Sequence, residues 1–151
     1  MSVEAQLHAL VSVAVGTLLA GVIGLDREWR HRQAGIRTHM LVGLGSALIV
    51  SMAHLQYNAD SAARLAAGVI SGIGFLGAGV IVQRHDRVHE LTTAASIWVV
   101  AMIGITAGAQ LYVLAAGTTL IGWVVLTLLR AVTKRHIPPG EEAGGVGQDG
   151  R

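Results

Sequence analysis

Three groups of residues in this 151-residue chain have types and spacings on which chemistry can be built. The first is Arg84-His85-Asp86-Arg87-Val88-His89-Glu90. His85 and His89, like Asp86 and Glu90, stand four apart, the interval at which metal ligands share one helix face. This short stretch between two apolar runs suits a connector better than a helix, and no catalytic context surrounds it. The second, Gly72-Ile73-Gly74-Phe75-Leu76-Gly77, has the letters of a dinucleotide-binding turn. It lies inside a long apolar stretch and follows no strand, so it lacks the context that gives the pattern meaning. The third is Asp26-Arg27-Glu28, at the head of a mostly basic segment, 26–37. Two readings stand for it: a solvated connector that holds topology, or an ordered loop whose carboxylates pair with arginines. Serines in the apolar runs have no base nearby in sequence, and there is no cysteine. No catalytic residue, cofactor or metal is assigned, and the chain is not expected to be an enzyme.

The elements that carry these groups are apolar. Hydrophobic residues make up 52% and charged residues 13% of the chain, about half the usual charged share. The net charge of +2 hides a strong placement, because nearly all of the 11 Lys and Arg lie between or after apolar runs. With no basic face interleaved with aromatics, nucleic-acid binding is not expected. Uncharged stretches 5–25 and about 38–55 each suit one membrane-spanning helix, and so does the run of about 19 residues after Arg64, ending at Gln83. From Leu91 to Leu129 no charge appears; one helix of that length would be about 58 Å long, nearly twice a bilayer core. The run must fold back, and Thr106-Ala107-Gly108-Ala109-Gln110 is the polar, flexible point. This predicts spans at 91–107 and 110–129.

The expected fold is therefore all-α, an integral membrane bundle of about five helices over residues 1–135. The leading segment holds Glu4 and no Lys or Arg, so the first span does not read as a cleavable signal peptide. Residues 136–151 read as a disordered cytoplasmic tail, with no soluble domain after it. Five spans put Arg27, Arg30, Arg32, Arg37, Arg84, Arg87, Arg130, Lys134 and Arg135 on one face and only Arg64 on the other. The bias places the N-terminus outside and the C-terminus in the cytoplasm.

Small residues recur every four positions. Ser12, Gly16, Ala20 and Gly24 in the first span, and Gly43, Ala47 and Ser51 in the second, form seams for close helix approach. In the third span Gly68, Gly72 and Gly79 fall on one stripe and Gly74 and Gly77 roughly opposite. Leu65, Val69, Ile73, Leu76 and Val80 form a bulky stripe between them. The expected arrangement clamps this helix on both glycine faces and turns the bulky stripe to lipid. Asp60 and Arg64 stand four apart and are a possible ion pair. The surplus of close-contact surface predicts a homodimer or small oligomer.

Four blocks together resemble the MgtC/SapB family of bacterial inner-membrane proteins. They are Gly24-Leu25-Asp26-Arg27-Glu28; Ala34-Gly35-Ile36-Arg37-Thr38-His39-Met40-Leu41-Val42; Arg64 to Gly68 with Gly72 to Gly79; and Leu91-Thr92-Thr93-Ala94-Ala95-Ser96-Ile97-Trp98. The resemblance covers roughly residues 15–125. It implies a multi-pass inner-membrane protein of about five spans. It also implies adaptation to low magnesium and survival inside macrophages, through binding other membrane proteins such as the proton-translocating ATP synthase. The chain departs from the family pattern at Asp26, where glutamate is expected. It departs again at Val88-His89-Glu90, where an arginine–glycine pair is expected, and a short tail is expected after residue 135 where the virulence members carry a soluble C-terminal domain.

The spans hold no carboxylate, which speaks against an ordinary monomeric ion transporter. The expected function is a small membrane interaction or regulatory protein. The alternative is an ion or small-solute transport component. The expected functional surface is the cytoplasmic rim: Asp26, Arg27, Glu28, Arg37, Thr38, His39, Arg84, Thr92 and Thr93. There Asp26 or Glu28 is expected to pair with Arg27, Arg37 or Arg84, while Thr92 and Thr93 cap the fourth helix or complete the network.

Overall fold

The computed structural model describes residues 2–84 and 87–134, without the side chains of 82–84, 87 and 129–134. Five helices follow one another: α1 Val3–Trp29, α2 Ile36–Gln56, α3 Ala59–Val80, α4 Leu91–Gly108 and α5 Tyr112–Lys134. The first four are long and apolar enough to cross a membrane, and α5 has the shorter apolar run Tyr112–Leu128. The tail expected at 136–151 lies outside the described residues, as do His85 and Asp86.

The connector after α3 is a two-stranded antiparallel ribbon, β1 Val82–Arg84 and β2 Arg87–His89, with Val82 opposite His89. His89 therefore sits on a strand, and the four-residue helical spacing imagined for metal ligands does not apply there.

α1 runs past its apolar stretch to Trp29, so the expected 26–37 loop is only the short link to Ile36. The Asp26–Arg30 ion pair, one turn apart, supports the extra turn. The helix ends where the Arg32 N–H reaches the Arg27 carbonyl at 3.1 Å, with His31 in the left-handed region at φ 51°. α4 ends the same way: the Leu111 N–H bonds the Thr106 carbonyl at 3.1 Å and Gln110 has φ 63°. Both ends have the paired hydrogen bonds of a Schellman turn, whose left-handed position glycine usually fills. The long uncharged run folds back there, one residue beyond the expected end of its first helix.

α1, α2 and α4 make the tight centre. A Cβ added at Gly43 would lie 2.5 Å from Ala20 Cβ and 2.9 Å from the Gly16 carbonyl oxygen. One added at Gly104 would lie 2.5 Å from the Gly43 carbonyl oxygen, and one at Gly108 would lie 2.5 Å from that of Ala47. Backbones approach this closely only where side chains vanish, and lipid supplies no hydrophobic force to replace such packing. Ala20, Ile23, Val100, Ile103, Ala107 and Ala115 form the core that α5 completes. Near the other end of that interface, Ser12 on α1 is hydrogen-bonded to the Tyr112 hydroxyl at 2.7 Å.

α3 departs from expectation. Most of its bulky stripe turns inward: Ile73 is buried with Ile97 and Ala101 of α4, and Val69 and Val80 pack on the same cluster, while Leu76 stays exposed. A Cβ at Gly68, Gly72, Gly74 or Gly79 would meet nothing within 4 Å, and only Gly77 approaches a neighbour, Ala94 at 3.7 Å. The reason is complementarity. α4 already shows small residues to α3, so a bulky side chain fills that seam with more dispersion contact than a glycine would.

Candidate functional site

One end of the bundle gathers the last turn of α1, the α1–α2 link, and the first turns of α2 and α4. The sequence offered carboxylates and arginines here with no unique pairing, and the structure selects one. Asp26 is buried and accepts from Arg30, whose Nε lies 2.8 Å from both carboxylate oxygens. This partner is not one of the three arginines expected, of which Arg84 has its side chain outside the described residues. The i,i+4 position on one continuous helix brings Arg30 to hand without any tertiary adjustment.

Arg27 is only 3% exposed and donates from Nη2 to Thr93 Oγ1 at 2.7 Å. The Thr93 hydroxyl donates in turn to the Glu90 carboxylate, and Arg32 Nη1 lies 3.6 Å from the other Glu90 oxygen. Thr93 thus relays between a buried guanidinium and a carboxylate and completes the network; it does not cap α4. The cap position is Glu90 itself, with φ 65° and no side-chain capping bond. A left-handed backbone there explains the glycine expected at this point from the resemblance. Glutamate accepts the backbone cost and contributes a carboxylate that glycine lacks.

Glu28 serves backbone, and among the described residues it pairs with no cation. Its Oε2 accepts the Ile36 N–H at 3.0 Å, in place of Gly35, which caps α2 without a side chain. A Cβ at Gly35 would fall 1.7 Å from that carboxylate oxygen, so the glycine makes room for the cap.

His39 is fully buried on the first turns of α2. Its Nδ1 lies 2.8 Å from the Gly35 carbonyl, which can only accept, so Nδ1 carries a proton. Nε2 lies 3.0 Å from Ser96 Oγ, and Ser96 Oγ also lies 2.8 Å from the Thr93 carbonyl. The Ser96 hydroxyl proton therefore has two destinations, and which it takes depends on whether Nε2 bears a proton. Ala34, buried against Ile73 and Ile97, pins the α1–α2 link from below.

Arg27, Glu28, His39 and Thr93 are thus drawn into one rim, with Asp26 held beside it. Arg37, Thr38 and Thr92 are exposed at the same end and outside the hydrogen-bond network. The Arg84 side chain is outside the described residues. Sequence reasoning missed Arg30, Arg32, Glu90 and Ser96 as partners. Ser96 carries a signal: it stands three after Thr93, on the same helix face. At the opposite end Arg64 donates to Ser61 Oγ at 3.3 Å, and no Asp60–Arg64 pair forms among the described residues. Of the predicted packing positions, Gly16, Ala20, Gly24, Gly43 and Ala47 lie buried between helices, whereas of the α3 glycines only Gly77 does.

No solved structure matches the chain. A protein of Brucella abortus (strain 2308), named Protein MgtC, is 42% identical over 127 residues, 84% of this chain and 53% of the relative. Proteins of the same name from Salmonella paratyphi A and Salmonella typhimurium (strain 14028s / SGSC 2262) are 38% and 39% identical, over 89% and 83% of this chain and 58% and 54% of their own lengths. The chain spans about half the length of these curated relatives. A family model described as the MgtC family matches residues 13–135, which take in α1 from Val13 onward, the other four helices and the whole polar rim. With most of its length matched, this membrane protein belongs to the MgtC family.

Proposed function

We propose that this chain is a membrane interaction or regulatory protein whose working surface is the polar rim. The observation that carries the reading is the chain of contacts Arg27–Thr93–Glu90–Arg32, which runs from a buried guanidinium and hydroxyl out to the exposed Arg32 and locks the α1–α2 link against the start of α4. A network built on a buried guanidinium costs desolvation and is a poor way merely to hold two helices together. It does fix the shape of what lies over it, where Arg37, Thr38 and Thr92 remain exposed for a partner. Further support is that the apolar spans contain no carboxylate to line an ion path. The partner class is another membrane protein, and the proton-translocating ATP synthase is the one implied by the family resemblance. Placement in a bacterial inner membrane with the rim in the cytoplasm, and a role in low-magnesium adaptation or virulence, belong to the same proposal. So does self-association, for which the unused Gly74 side of α3 is the support.

The test pairs reconstitution with a rim variant. Purified protein in liposomes is expected to pass no saturable flux of magnesium or protons. Arg37→Glu, on an exposed side chain outside the network, is expected to keep the fold and remove the cellular activity. Saturable flux from the purified protein would establish the transport alternative instead. Full activity in Arg37→Glu would remove the rim from consideration as the working surface.

A further inference from the structure

The weak seam of the bundle is between α2 and α3, and it opens as a groove of about 620 Å³. Glycine makes it: Gly45 on α2 and Gly68 and Gly72 on α3 line it, and a Cβ at any of the three would meet nothing within 4 Å. Ile49 and Leu76 are among the apolar side chains of its walls. At one end stands Arg64, the sole Lys or Arg between Thr38 and Gln83. Its side chain is exposed, bonded to Ser61, and has no carboxylate partner among the described residues.

The length of the groove is informative. From Arg64 to Leu76 the α3 axis advances about 18 Å, slightly more than half of a hydrocarbon core of about 30 Å. The groove is one leaflet deep, with its only cation at the headgroup end and nothing charged below. A protein helix would fit this poorly. A second copy inserted the same way and packed α3 against α3 would set Arg64 beside Arg64 at one depth, which is repulsive. A lipid phosphate at that level is attractive, and guanidinium is the side chain best shaped to hold it.

We propose that the α2–α3 groove is a lipid site that takes one acyl chain of an anionic phospholipid, with the lipid phosphate held by Arg64. Zwitterionic lipids carry their own cation beside the phosphate, so the site prefers a net negative headgroup. The site stands independently of the rim, at the other end of the bundle.

Native mass spectrometry of the purified full chain, titrated with phosphatidylglycerol or phosphatidylcholine of identical acyl chains, tests it. The wild type is expected to retain phosphatidylglycerol about tenfold better, the effect of one charge-assisted contact. Arg64→Gln is expected to lose that preference. Gly72→Leu fills the groove from an open position, so it is expected to release lipid of both kinds while thermal unfolding stays as in the wild type. Equal retention of the two lipids by the wild type, or a preference that survives Arg64→Gln, would overturn the proposal. So would lipid retention unchanged in Gly72→Leu, which would mean ordinary boundary lipid, or a lipid-free dimer that covers the groove.

Discussion

Arg27 and Thr93, 66 residues apart in the chain, meet through a 2.7 Å hydrogen bond between two buried side chains. The bond joins the last turn of α1 to the first turn of α4. It sits where Glu90 and Arg32 close the network toward the surface. The α1–α2 link is held at both ends as a result, by this bond and by Ala34 in the core.

Thr93→Val keeps the shape and removes the hydroxyl, so Arg27 loses an acceptor and Glu90 a donor inside the protein. The expected cost is about 1–3 kcal/mol, read by unfolding in detergent micelles, with cellular activity lost. Thr93→Ser should retain most of both. A valine variant as stable and active as wild type would show that the relay is decorative.

Glu90→Ala and Glu90→Gly separate the two roles of that residue. Each removes the carboxylate, but only glycine relieves the left-handed backbone at φ 65°. The alanine variant should therefore be the less stable, by about 1–2 kcal/mol. Equal stability of the pair would mean that the backbone of this turn relaxes once the side chain is cut.

Gly35 and Glu28 should behave as one unit. Glu28→Ala removes the cap on the Ile36 N–H, and Gly35→Ala pushes the same carboxylate away. Each change should cost about 1 kcal/mol, and the double variant little more than either alone. Additive costs in this cycle would contradict the capping role.

The glycines divide into two classes that the same substitution tells apart. Gly43→Ala and Gly104→Ala force a Cβ to within 2.5 Å of Ala20 Cβ and of the Gly43 carbonyl oxygen, respectively. A cost of about 1–3 kcal/mol each is expected, in a melting experiment in detergent. Gly74→Ala and Gly79→Ala enter open space and should leave stability unchanged or slightly raised. Destabilisation of the second pair as large as the first would mean that α3 is clamped on its glycine faces after all.

Much of this fold was legible because the bilayer is a demanding solvent. A helix is the only open-chain way to satisfy backbone groups in lipid, so the uncharged runs had to become spans, and a 39-residue run from Leu91 to Leu129 had to fold back. The seams through Gly16, Ala20, Gly43 and Ala47 were legible for the same reason, since close approach needs small residues at helical spacing. The composition of the rim was legible too, because charges cannot sit within the spans.

Which residues stand at the rim and which stand in the membrane follows from the order of charges along the chain. Which of them touch was decided by the tertiary structure. Three of the acids, Asp26, Glu28 and Glu90, and several arginines share the rim, and many pairings satisfy charge equally well. The choice fell to geometry: one more turn of α1 gave Asp26 to Arg30, the short link gave Glu28 to the Ile36 N–H, and the α1–α4 approach gave Arg27 to Thr93. The facing of α3 was decided in the same way. Its glycine stripes and its bulky stripe both suit a membrane helix, and only the small-residue surface already presented by α4 determined which one turned inward. Periodicity in one helix says that its faces differ; the neighbour that fills each face is a property of the packed bundle.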